Sequence, residues 1–345
     1  MTATNYVRCQ FLCLSAKTIN DRFHAYRDKT MMIRSRFIAL GTVAAMVLGG
    51  YAEDEFSDAE LEEAVEVSQI AEESRKAADE GNVAAQYQLA CCYFSGNGVV
   101  QSTSEGLKWL RKAADQGYAD AQCLLADCYA QGKGVDKNAK EACSWLVKAA
   151  RQHHVGAMYR LGMAHLKGDG VKKSDILGLA WLERTAAAGH TEAIYSLGFC
   201  RLQGVGGVQN FAEAALLFEK AAVYRHPNAL FWLGFCRLHG IGTEQNIPAA
   251  IELMHMAADA LSSPAAVQLG RCHEIGLGVA KDLDKAFDWY WQAARMGNDE
   301  GCYRLGRMLL DGRGCRPNKE KAIKWFRKAA ENGNTRAIKA LEELR

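Results

Sequence analysis

Proline is scarce, with four residues in a chain of 345. Proline removes a backbone donor and clashes with the preceding helical turn, so its scarcity leaves room for many uninterrupted helices. An excess of one charge is also missing. Lysine and arginine number 42 against 40 aspartate and glutamate, and 49% of residues are hydrophobic. That balance excludes wholesale disorder and a blanket nucleic-acid-binding surface. No apolar run reaches the roughly 20 residues of a membrane-spanning helix. Twelve cysteines in this length are too dilute for a small disulfide scaffold.

Chemical motifs are missing as well. No Cys-x-x-Cys or His-x-x-x-His pair offers metal-ligand spacing. The Gly-x-Gly elements lack the lysine and serine or threonine of a phosphate loop, which removes nucleotide binding. There is no Ser-x-x-Lys, Ser-Asp-Asn or Lys-Thr-Gly to support a serine-based β-lactam hydrolase. The expectation is a non-catalytic protein without cofactor or metal.

What is present begins with a distinctive leader. Arg34 and Arg36 precede an apolar run, Phe37 to Gly50, followed by Tyr51-Ala52 and the acidic Glu53-Asp54-Glu55. A basic start, a short apolar stretch and a small-residue exit predict a secretory signal over 31–52 with the mature start near Glu53. Met31 and Met32 stand where such a signal begins, so residues 1–30 are expected to be an upstream extension outside the native product. The body is then exported to a periplasm or medium, with no stable membrane span. A cytoplasmic protein is the alternative if the signal is not used.

The rest of the chain repeats itself. Ala85, Ala121, Ala157, Ala193, Ala229, Ala265, Gly301 and Ala337 recur every 36 residues. Four residues later come Leu89, Leu125, Leu161, Leu197, Leu233, Leu269, Leu305 and Leu341. Glycine pairs follow, from Gly96/Gly98 to Gly312/Gly314, and then Trp109, Trp145, Trp181, Leu217, Leu253, Trp289 and Trp325. Small pairs such as Ala113-Ala114 close each unit. A third glycine (Gly117, Gly189, Gly297, Gly333) gives way to His153, Arg225 and Leu261 elsewhere.

Counting from the first alanine as offset 0, offsets 0, 4 and 8 share one helical face and are followed by the glycine pair. Offsets 21, 24, 25, 28 and 29 repeat the 3.6-residue period in a second helix. One such hairpin cannot bury its own apolar face, so the units must stack. The organisation is therefore all-α, an α/α solenoid of about seven 36-residue hairpins over 85–336. A capping helix or partial repeat over 53–84 precedes them, and a C-terminal capping helix over 337–345 follows.

The string Ala157-Met-Tyr-Arg-Leu-Gly-Met-Ala-His-Leu-Lys-Gly-Asp-Gly-Val171 resembles the first helix and turn of the Sel-1-like repeat. Lys321-Ala-Ile-Lys-Trp-Phe-Arg-Lys-Ala-Ala-Glu-Asn-Gly333 is similar to its second helix. The resemblance, to a family related to tetratricopeptide repeats, implies a right-handed superhelix and a scaffold or adaptor that holds other proteins. It also implies a second reading, an envelope factor that binds peptidoglycan or its enzymes. Some relatives carry a β-lactamase label, a third reading that the missing serine motifs weaken.

Cys92, Cys128, Cys200, Cys236 and Cys272 share offset 7, a column expected to be small buried apolar positions rather than ligands. Stacked helices stand about 8–10 Å apart, too far for bridges along the column. Cys128 with Cys143 is the one pairing left open. A cysteine-rich subset of the family staples each unit with two cysteines eight residues apart. Here the first of those positions is alanine in every unit.

The candidate binding surface lies on the first helices. Offsets 3, 6 and 10 face away from offsets 0, 4 and 8, and the resemblance implies that they line the concave groove. There stand Arg160, Met163, Phe199, Trp232, Phe235, Arg271, Arg304 and Arg307. Aromatic and arginine side chains dominate binding hot spots, so these residues predict a groove for a protein or peptide segment bearing apolar anchors and acidic groups. The alternative is that curvature buries the aromatics between units.

Overall fold

The computed structural model describes residues 71–344, and every regular element among them is a helix. The leader and the residue-1–52 boundaries lie outside the described residues. Two compact units divide the chain at Lys137 and Asn138. In the first, a helical stretch at 71–79 leads into α1 (Val83–Ser95), α2 (Thr103–Asp115) and α3 (Ala119–Gln131).

The second unit holds α4 (Ala139–Arg151), α5 (Val155–Lys167), α6 (Asp175–Ala187), α7 (Thr191–Gln203), α8 (Phe211–Ala222) and α9 (Pro227–His239). It continues with α10 (Ile247–Asp259), α11 (Ser263–Ile275), α12 (Leu283–Arg295), α13 (Asp299–Asp311), α14 (Lys319–Glu331) and α15 (Thr335–Glu343). Within this unit each helix packs on the one before and the one after.

Local chemistry sets the helix ends. Ser102, Asn138, Ser174, Asn210, Asn246, Asp282 and Asn318 cap the second helices, each accepting the backbone N–H three residues on. On the first helices of the second unit, histidine takes this role three times in succession. Nδ1 of His154, His190 and His226 accepts the N–H of Ala157, Ala193 and Ala229 at 3.0, 3.2 and 3.1 Å.

The paired glycines serve two purposes. Gly240 closes α9 in the left-handed region at φ 67°. Gly242 adds a close approach, because a Cβ there would lie 2.0 Å from the backbone oxygen of Phe211, at the start of α8. Where the third glycine is replaced, the backbone stays left-handed: φ is 60° at His153, 56° at Arg225 and 63° at Leu261.

The core sits between neighbouring hairpins. Ala157, Ala193, Ala229 and Ala265 are fully buried, which lets backbones approach. Trp109 and Trp145 are buried, whereas Trp181, Trp289 and Trp325 are half-buried. The centre of each layer belongs to the next column: Leu110, Leu182, Phe218, Met254, Tyr290 and Phe326 have no exposed surface. The tryptophans roof this column, and four of them carry a cation, as in Lys148 over Trp145 at 3.4 Å and Lys112 over Trp109 at 4.0 Å.

Candidate functional site

The eight predicted groove residues all fall on first helices of the second unit: α5, α7, α9, α11 and α13. The structure joins some of them and separates others. Phe199, Trp232 and Phe235 form one half-buried aromatic shelf. The Trp232 ring lies 5.7 Å from Phe199 and 5.7 Å from Phe235, the latter edge-on. Beneath it Phe218 stacks at 6.2 Å.

The two sequence alternatives for these aromatics thus meet halfway. Phe199 and Trp232 pack on the buried cluster of Ala214, Phe218, Leu233 and Cys236, yet each keeps part of its surface open. Burial raises the pKa of Tyr195, with Trp232 pulling the other way. Met163 is half-buried and packs on the separate cluster of Leu179, Leu182 and Leu197. Arg160 is exposed on α5.

The arginines behave differently from one another. Arg304 is held inside a charge network: Nε donates to Glu300 at 2.6 Å and Nη1 to Glu274 at 3.4 Å. Its burial works against the charged form, but Tyr290, Glu300 and Glu274 outweigh that and its pKa rises. Glu274 also accepts from the Tyr290 hydroxyl at 2.6 Å and from Arg313 at 2.9 Å. Arg336 completes the network through Glu300. Arg307 is exposed and pairs with Asp311 at 3.3 Å. Arg304, Arg307, Arg313 and Arg336 line one depression of about 320 Å³. Arg271 is exposed, its guanidinium touching only the Gln268 side chain at 3.4 Å among the described interactions.

Sequence reasoning passed over residues that complete these groups. Phe231 lies 5.4 Å from Trp232 and His239 lies 4.4 Å from Phe235. Tyr195 flanks Phe199 at 6.3 Å and stacks on His226 at 4.6 Å. A signal for Tyr195 and Phe231 existed: five of the seven offset-2 positions are aromatic (Tyr87, Tyr159, Tyr195, Phe231 and Tyr303), with Cys123 and Val267 at the other two.

No other chemistry gathers here. Among the described residues, no group of three histidine, cysteine, aspartate or glutamate side chains is placed to hold a metal ion. Ten cysteines are described, Cys128 and Cys143 among them, and all are free thiols. Burial pushes Cys236 up to about 11 and raises Cys92, Cys128, Cys200 and Cys272, which favours the protonated thiol along the column. No described helix is long and apolar enough to cross a membrane.

A family model for the Sel1 repeat matches seven stretches: residues 83–118, 119–154, 155–190, 191–222, 227–260, 263–298 and 299–334. A comparison with curated proteins finds no match. Among solved structures, the chain is similar to c5321, a protective antigen present in uropathogenic Escherichia coli strains, at 32% identity and a TM-score of 0.67 over 79% of this chain. The match spans 58% of the length of that antigen. It is also similar to a Sel1 repeat protein from Oxalobacter formigenes, at 28% identity and a TM-score of 0.69, covering 84% of this chain and 88% of the other.

Proposed function

The chain belongs to the Sel1 repeat family, and from that premise we propose that its second unit captures a protein segment on the first-helix face between Met163 and Arg307. Sel1 repeat proteins are in general protein-interaction scaffolds and typically non-catalytic. The observation that carries the reading is the aromatic shelf. Phe199, Trp232 and Phe235 stand at repeat positions yet remain half-open to solvent, and the same positions on the two following first helices hold arginines. Apolar anchors of the segment rest on the shelf, and its acidic groups turn toward Arg271 and Arg307.

Partner capture from the native compartment, identified by mass spectrometry, tests this. The Trp232→Ala, Phe235→Ala double variant should lose the partner while keeping its helical circular dichroism. Because Trp232 also packs on the core, Arg271→Glu serves as the second variant: Arg271 is exposed, so only binding should fall. Wild-type capture by both variants ends the proposal.

The working place we infer is outside the cytoplasm, with processing near Glu53. The support is the basic and apolar pattern of residues 34–52. N-terminal sequencing of the natural product checks it, and an unprocessed leader refutes it.

A further inference from the structure

A second site stands apart from the groove. Three elements build it. Lys285, Asp288, Trp289 and Gln292 follow one another at helical spacing along one face of α12. His255 comes from α10 and His273 from α11. Together these six side chains line a cavity of about 440 Å³, inside the roughly 300–1,000 Å³ range of small-molecule sites.

The lining carries unspent hydrogen-bonding capacity. Among the described residues, the side chains of His255, His273, Asp288 and Gln292 make no hydrogen bond. His273 is only 7% exposed, and its Nδ1 is buried without a partner. That nitrogen is closed to solvent and so to the cavity as well, and the capacity open to a ligand belongs to His255, Asp288 and Gln292. Burial also lowers the pKa of His255, which keeps its ring neutral with one donor and one acceptor nitrogen. Trp289 meets His255 edge-on at 5.3 Å and forms the apolar wall.

The chemistry of the lining selects a ligand class. It contains one ammonium, Lys285, which leans on Asp282 at 3.6 Å, and one carboxylate, Asp288. These opposite charges leave a strongly ionic ligand without a net counter-charge. The remaining groups are an amide that both donates and accepts, two imidazoles and an indole face. They suit a molecule whose hydroxyls donate and accept beside a C–H face. We propose that this cavity binds a neutral saccharide, with a ring face on Trp289 and hydroxyls on Asp288, Gln292 and His255.

Saturation-transfer difference NMR on the full protein with maltose and with N-acetylglucosamine provides the test. The expected result is transfer to the ring protons of at least one sugar, with a dissociation constant in the region of 1 mM. Glycerol, a polyol without a ring face, should give none. Trp289→Leu and Asp288→Asn should each weaken binding about tenfold or more. Leucine already occupies this repeat position at Leu217 and Leu253, and Asp288 is exposed, so both variants should fold. Absence of transfer from both sugars overturns the proposal, as does transfer undiminished in both variants. No groove residue takes part, so this outcome is independent of protein capture.

Discussion

The middle and the end of the second unit use the same helix positions for opposite surfaces. On α7 and α9 those positions hold Phe199, Trp232 and Phe235; on α11 and α13 they hold Arg271, Arg304 and Arg307. Both regions rest on the same alanine and leucine frame. In the middle the side chains support one another by ring contacts, which work at short range and ignore salt. At the end, three carboxylates (Glu274, Glu300, Asp311) engage four guanidiniums (Arg304, Arg307, Arg313, Arg336). The comparison teaches that the frame tolerates either surface, and that each surface answers to a different physical variable.

The largest test removes what lies under the aromatic half. Phe218 is fully buried and stacks under Trp232. Phe218→Ala should cost about 3–5 kcal/mol by lost burial and a cavity, read as a fall in denaturant midpoint. A loss below about 1 kcal/mol would mean that the shelf stands without its floor.

Next comes the charged half. Glu274→Gln leaves Arg304, Arg313 and Tyr290 without their shared carboxylate. The pairs are partly open to water, so the cost should be about 1–2 kcal/mol. It should shrink in high salt, whereas the cost of Phe218→Ala should not. Equal salt response in both variants would erase the distinction.

The smallest effect concerns pH and returns to the aromatic half. His190 caps α7 through Nδ1, with Tyr159 stacked at 5.0 Å from α5 and Glu192 nearby on α7 itself. Burial lowers its pKa below the ordinary 6.5, against an upward pull from Glu192. As pH falls below about 6.5, the unfolded chain takes up a proton that the folded cap refuses, so stability declines until the lower folded pKa is passed. His190→Asn keeps an acceptor, as Asn298 and Asn334 do at the same repeat position. It should flatten this dependence by some tenths of a kcal/mol in melts between pH 5 and 7.

Much of the frame was readable from sequence because burial and turn geometry act locally and repeat. The Ala157 and Leu161 columns and the glycine closers each follow from residue type at a fixed spacing. What was not readable depended on partners in the next repeat. The tryptophan column is conspicuous in the sequence, yet the deeper positions belong to the next column, from Leu182 to Phe326. Arg304 looked like a groove cation, yet its carboxylates come from Glu274, thirty positions away, and from Glu300. The cap at His190 was not readable either, because it depends on one nitrogen meeting one backbone proton.

The approach of Gly242 to the start of α8 has a parallel at Gly170, where a Cβ would lie 2.1 Å from the Ala139 oxygen. At these two, as at Gly314 against the Leu283 oxygen, the turn is seated directly against the main chain of the hairpin before it, whereas Gly206 and Gly278 press on the side chains of Leu179 and Ile247, so the step from one layer to the next is gauged by backbone and buried side chains on the inner face. Side chains on the open face can then be exchanged, aromatic for cationic, with the pitch undisturbed. A lineage could rewrite what this surface recognises one helix at a time.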